Sequence, residues 1–151
     1  SVMGHSVGEF VEVTEILDKA GGVEGFELNL SCPNVPYGGT KMFAHDEQMI
    51  EEVVSAVRAA TPKTLIAKLG PDVSDIGRMA AAAEAGGADA VSLINTFVAM
   101  VIDVKTRKPV LANKTGGLSG PCIRHERDGP RTYRRPVMRK VIYRPQKNAS
   151  R

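Results

Sequence analysis

Apolar and polar positions repeat with two different periods along the first two thirds of the chain. Phe10, Val13, Leu17 and Ala20 recur at spacings of three and four, which predicts a helix stopped by Gly21-Gly22. The short apolar run Phe26 to Leu30 predicts a strand. Asp46 is placed to cap a second helix carrying Met49, Ile50, Val53, Val54 and Val57, which ends at Thr61-Pro62. Thr64 to Leu69 predicts the next strand. Ser74 is placed to cap a third helix with Ile76, Met79, Ala80 and Ala83, closed by Gly86-Gly87, and Ala90 to Ile94 predicts another strand. Ser1 stands inside what reads as the end of an earlier strand, so more chain is expected upstream.

This βαβαβ succession suits parallel strands joined by helical crossovers, and its apolar runs suit strands buried on both faces. Doubly wound sheets and (β/α) barrels both satisfy it, and the pattern leaves the two open. After Ile94, Val98 to Val104 and Pro109 to Ala112 flank a polar Thr-Arg-Lys turn and predict an inserted hairpin. Thr115 to Pro121 (TGGLSGP) reads as a glycine-rich loop. Beyond Pro121 the periodicity stops, and only Val137 to Tyr143 could form a short element.

Composition narrows the class. With 42% hydrophobic and 25% charged residues, the 151-residue chain matches a soluble domain able to bury a core. No apolar run approaches the ~20 residues a bilayer span needs, so no membrane association is expected. Cys32 and Cys122 are the only cysteines, which excludes a disulfide framework, and nothing favours a single bridge between them. His5, His45 and His125 lack ligand spacing, so no metal is expected. A reducing, cytoplasmic compartment follows. Charge is unevenly placed. Residues 122–151 hold eight Arg and two Lys against Glu126 and Asp128, a balance of +8, and with the whole chain at +3 residues 1–121 are left at −5. Only Tyr133 and Tyr143 interleave that basic segment and no nucleic-acid motif accompanies it, so nucleic acid is not an expected partner.

In parallel α/β folds functional groups collect at the C-terminal ends of strands. Three predicted strand ends carry polar groups here: Asn29 with Cys32 and Asn34, then Lys68, then Asn95 with Thr96. Amides both donate and accept, which suits a ring with N–H and C=O edges. A lysine offsets an anion or a developing negative charge, and a thiol can move a proton. Plainer readings stand beside these. Cys32 could be a packed small hydrophobe, Lys68 could snorkel from an edge, and Asn95-Thr96 could be turn chemistry. GGLSG could open a helix, or offer backbone N–H groups to a phosphate or flavin edge.

At these residues the chain resembles the class 1 dihydroorotate dehydrogenases, particularly the 1B type. The resemblance rests on ELNLSCPNV, AKLGPDVSDI, GADAVSLINT and ANKTGGLSGP in that order, within Val2 to Pro121. It implies an α/β fold that is a portion of a (β/α)8 TIM barrel, with roughly four of the eight strands. It also implies FMN as cofactor and oxidation of dihydroorotate to orotate in pyrimidine biosynthesis. Cys32 matches the base that takes a proton from substrate C5 while hydride leaves C6 for the flavin. Asn29, Lys68, Ile94 and Gly120 match flavin contacts, and Asn29, Asn34, Asn95 and Thr96 match orotate contacts. The 1B type implies a partner subunit carrying FAD and an iron–sulfur cluster, and an oligomeric parent.

The resemblance ends at Pro121. Where the family continues with an apolar helix, CIRHERDGPRTYRR follows, the kind of sequence a reading-frame shift or a disordered tail produces. The expected division is a partial barrel over 1–121 and a divergent basic tail over 122–151. Three alternatives accompany this reading: an inactive barrel fragment, a basic-tail binding module, and a flavoenzyme like dihydropyrimidine dehydrogenase. The SCPN form with INT later favours orotate chemistry over the last of these.

Overall fold

Helix starts in this chain are set by side chains that accept the first free backbone N–H groups. Ser6, extended at φ −147°, accepts from Glu9 N and opens α1 (Val7–Asp18), while the Glu9 carboxylate reaches back to His5 N at 2.7 Å. Asp46 opens α2 (Glu47–Ala60) as its position in the sequence predicts, its Oδ1 accepting from Gln48 N and Met49 N. The third helix departs from expectation. Asp75, not Ser74, caps α3 (Ile76–Ala85), its Oδ1 accepting from Gly77 N at 2.8 Å and Arg78 N at 3.3 Å. A carboxylate there also meets the positive end of the helix dipole, which a serine one residue earlier cannot match. The computed structural model describes residues 1–31 and 43–123, with the backbone of 141–142.

Three parallel strands, β1 (Gly25–Asn29), β2 (Thr64–Lys68) and β3 (Ala90–Ser92), pair in sequence order. Val2 bridges to Leu28 on the free side of β1, and a short strand at Val141–Ile142 pairs in parallel with β3 on the other side. Within this sheet the strands lie in sequence order and all run parallel, with the inserted segment between β3 and the strand at Val141–Ile142. The last of these pairings falls inside the segment Val137 to Tyr143, the one place beyond Pro121 where the sequence predicts an element.

One face of this sheet carries the core. Phe26, Leu28, Leu65, Ala67 and Val91 are buried against Phe10 of α1, Ile50, Val53, Val54 and Val57 of α2, and Met79 and Ala83 of α3. Side chains alternate faces along a strand, so Glu27, Asn29, Ile66 and Lys68 point away from the helices, and all four are half-buried. The predicted stripe on α1 is shifted. Phe10 and Thr14 face the core, Leu17 is exposed, and Ala20 lies past the end of the helix. Thr14 escapes an apolar pattern because it is polar, yet it buries its hydroxyl by donating to Phe10 O at 2.7 Å. At the foot of α3, a Cβ on Gly86 would come within 2.8 Å of Glu51 O and Val54 Cβ, so glycine there permits the close approach of α2 and α3.

The inserted segment after β3 forms two nested antiparallel pairs. The outer pair joins β4 (Phe97–Ala99) to β7 (Gly116–Leu118), and the inner joins β5 (Ile102–Asp103) to β6 (Lys108–Pro109). A hairpin is where the sequence predicts one, but Gly116–Leu118 is a strand and not a loop. Its glycines have no side chains to show alternation, and its partner strand holds it by backbone pairing. The inner turn is closed by Asp103, whose Oδ1 accepts from Lys105 N at 2.8 Å and Thr106 N at 3.3 Å.

The C-terminal end of α1 is tied to the entry of β2 through Asp18, which accepts from Thr61 Oγ1 at 2.7 Å and pairs with Lys63 Nζ at 3.2 Å. The Thr61 hydrogen bond, followed by Lys63, holds the Asp18 carboxyl below its ordinary range. A depressed folded-state pKa contributes stability above the unfolded value, and that contribution is lost as pH falls through the folded value. The melting temperature of Asp18→Asn should therefore lie below the parent's at neutral pH and converge on it as pH drops below about 4. Parallel thermal melts of the two proteins check this.

Candidate active site at the strand ends

The last rung of the sheet places Asn29 beside Lys68, and Lys68 beside Ser92. Three polar groups from three strands thus end in lateral register on the face away from the helices. Among the described residues Lys68 has no carboxylate partner and makes no side-chain hydrogen bond. A half-buried ammonium left unpaired at a strand end is available to an anion or to charge that develops during a reaction.

Past this rung the chain is stitched together by hydrogen bonds. Leu69 N donates to Ser92 O at 3.1 Å, Asn95 N to Leu69 O at 3.1 Å, and Ala44 N to Leu30 O at 3.2 Å. Ser31, 4% exposed, is the hub: its hydroxyl donates to Asn29 Oδ1 at 3.2 Å, and its carbonyl accepts from Asn95 Nδ2 at 2.7 Å. Gly70 lets this segment pass, since a Cβ there would lie 3.3 Å from Ser31 Cβ.

Over these ends lies a cavity of about 350 Å³ lined by Ser31, His45, Gly70, Asp72, Asn95, Thr96, Asn113 and Thr115 among others. Of the residues picked from the sequence, Asn95 and Thr96 line it, and Asn29 and Lys68 stand two residues before the lining residues Ser31 and Gly70. Ile94 is half-buried and does not line it. Gly120 lies exposed beyond β7 at φ +108° and is not brought to the cavity. Cys32 and Asn34 lie outside the described residues, as does all of 32–42; the flanking positions Ser31 and Phe43 are both buried.

Sequence reasoning passed over Ser31, His45, Asp72, Asn113 and Thr115. Ser31 had a signal, as the residue between the strand-end asparagine and the cysteine. Asn113 and Thr115 had none, because they reach the cavity through the pairing of β4 with β7. That pairing also explains a glycine. A Cβ on Gly117 would fall onto Thr96 Oγ1 and within 2.9 Å of Thr96 Cβ. Gly117→Ala should displace Thr96 and cost about 1–3 kcal/mol by overpacking. Urea unfolding and the amide spectrum of Thr96 measure the two effects.

The family model described as "Dihydroorotate dehydrogenase" matches residues 1–127 of this chain. The chain belongs to the dihydroorotate dehydrogenase family. It is 52% identical over 121 residues to a Trichlorobacter lovleyi protein named "Dihydroorotate dehydrogenase B (NAD(+)), catalytic subunit", covering 80% of this chain and 40% of that protein. Proteins of the same name from Geobacter metallireducens and Bacteroides fragilis are 51% and 47% identical, over 80% and 82% of this chain and 39% and 41% of theirs. The chain therefore spans about 40% of the length of the curated relatives it matches.

A dihydroorotate dehydrogenase implies a flavin, and the described residues fit its ring end better than its phosphate. Lys68 and Asn29 offer an unpaired ammonium and an amide side by side, the donor set a flavin's pyrimidine edge would use. Among the described residues no lysine or arginine lines the cavity, and Gly116 and Gly117 are engaged in β7. Among the described residues no group of three or more His, Cys, Asp and Glu side chains could hold a metal, and no helix is long and apolar enough to cross a membrane.

Proposed function

We propose that this chain supplies the base and the substrate-recognising amides for FMN-dependent oxidation of dihydroorotate to orotate. The observation that carries the reading is the shared rung of Asn29, Lys68 and Ser92, with Asn95 hydrogen-bonded back to Ser31 across it. The sheet, with strands added in sequence order and helices over one face, is read as roughly four strands of an eight-stranded barrel whose interior face carries Asn29 and Lys68. Residues 1–121 form that barrel portion and 122–151 a divergent basic tail.

Each residue has a part. Asn29, Asn34, Asn95 and Thr96 bind and orient the ring of the substrate through its N–H and C=O groups. Cys32 takes the proton from C5 as a general base. Lys68 offsets negative charge at the flavin's pyrimidine edge, with Asn29, Ile94 and Gly120 completing the flavin contacts. When bound, FMN supplies the acceptor for the two electrons the substrate loses. The relatives' name, a catalytic subunit of an NAD(+) enzyme, supports a partner subunit; that partner is read, from the family resemblance, as the carrier of FAD and an iron–sulfur cluster that passes electrons onward. An oligomeric parent in the cytoplasm completes the reading.

The test is a chimera in which residues 1–121 replace the matching segment of a full-length relative. It should oxidise dihydroorotate and leave dihydrouracil untouched; preference for dihydrouracil would transfer the chain to dihydropyrimidine dehydrogenase chemistry.

A further inference from the structure

Among the described residues eleven large apolar side chains are exposed, and eight of them lie between Val98 and Leu118, on the two nested pairs inserted after β3. A two-stranded ribbon has no layer of its own to cover such side chains. Ile102 pairs with Pro109, and Val110 N donates to Val101 O at 2.9 Å, so both faces of the inner pair carry apolar groups. Leu111 continues the surface onto the outer pair, where a Cβ on Gly116 would lie 2.7 Å from its Cδ1. At roughly half exposure each, the eight side chains exceed the ~300–600 Å² of the largest apolar patch on an ordinary monomer and approach the ~800 Å² per partner of a standard interface.

Charge indicates what covers it. Residues 97–118 hold Lys105, Arg107, Lys108 and Lys114 against Asp103, a balance of +3, while residues 1–96 hold fourteen Asp and Glu against six Lys and Arg, a balance of −8. Insert against insert would set like charge on like charge. Exposed apolar side chains recur at Ile16 and Leu17, near the end of α1, beside exposed Glu12 and Glu15. Among the described residues Glu12, Glu15, Lys105 and Lys108 form no ion pair.

We infer that the insert of one copy docks on α1 of a second copy, apolar side chains inward, with Lys105 and Lys108 facing Glu12 and Glu15. The insert leaves the C-terminal ends of the strands, whereas α1 ends at their opposite side, tied to the entry of β2. Two copies side by side and head to tail therefore make the contact twice, a closed twofold pair. The inference gives the oligomeric parent proposed above its contact surface and is independent of the orotate chemistry. Val98, Gly116 and Gly117 of the outer pair also wall the cavity, so the docked copy backs the site.

Sedimentation equilibrium of the full 151-residue chain tests this, with Lys105→Glu/Lys108→Glu, Glu12→Lys/Glu15→Lys, all four changes together, and Ile102→Ser/Val104→Ser. All six positions are exposed, so the far-UV circular dichroism of the variants should overlay the parent's. The parent should be a dimer. Each charge reversal, and the serine pair, should weaken it about tenfold or more, and the fourfold exchange should return it to within about threefold of the parent. A monomeric parent, a dimer indifferent to the α1 reversal, or a fourfold variant as weak as either reversal overturns the inference. Association that runs past the dimer and ignores these substitutions also overturns it, and assigns the contact to open sheet edges. Should one reversal disturb the fold, the reversal on the other surface decides.

Discussion

Cys32→Ala in the full-length chimera is expected to slow dihydroorotate oxidation by about 10²–10⁴-fold, the usual worth of a positioned general base. Flavin content should be unchanged. The expectation follows from the place of this residue in the sequence. Cys32 comes directly after Ser31, whose carbonyl is held by Asn95 and whose hydroxyl is held against Asn29. Cys32 is the residue of the NLSCPNV motif that the resemblance matches to the base, and the variant tests that role. An ordinary thiol ionises near pH 8.5, so a cysteine base makes the rate climb through the alkaline range until the thiolate dominates. Cys32→Ser, with a hydroxyl in place of the thiol, should shift that pH profile upward. Rapid mixing across pH measures both, and a Cys32→Ala variant as fast as its parent would remove the thiol from the mechanism.

Lys68→Met is expected to lower the rate of substrate oxidation by about 10²-fold, in the range seen when a preorganised charge-stabilising group is removed. Methionine keeps the length of the side chain and deletes the ammonium. Lys68 is half-buried at the end of β2, in register with Asn29 and Ser92, and pairs with no acid among the described residues. Its removal should therefore shift folding stability by no more than about 0.5 kcal/mol. Structural and electrostatic roles thus separate cleanly: unfolding curves should overlay while the flavin's reduction potential falls, because the reduced, more negative ring loses its counter-charge. A stability loss without a potential change would make Lys68 a scaffold residue.

Much of the scaffold is legible along the chain, and the reasons are local. The α2 cap at Asp46, its apolar stripe, and all three parallel strands depend on short-range signals that tertiary packing reinforces. The α1 stripe is misread because Thr14 hides a buried position behind a hydroxyl that is satisfied inside its own helix. The α3 cap is misread because two candidate residues stand side by side, and only the observed hydrogen bonds choose Asp75. Gly116–Leu118 is misread as loop because glycines carry no face to count. In the site, the strand-end residues Asn29, Lys68, Asn95 and Thr96 are visible from spacing. Asn113 and Thr115 are not, since their approach depends on a pairing between segments that share no periodicity. Ser31 is visible as a letter but not as a hub, because its partners are fixed only when the ends of β1 and β3 meet.

In the proposed reaction Cys32 takes the C5 proton of dihydroorotate and bound FMN would accept the hydride, with the strand-end side chains holding both in place. The most direct measurement is anaerobic mixing of the flavin-loaded chimera with dihydroorotate, followed by absorbance at the flavin band. Full bleaching is expected in the chimera, and bleaching slowed by about 10²-fold or more with Cys32→Ala. A folded, flavin-loaded chimera whose absorbance does not change on adding dihydroorotate would contradict it.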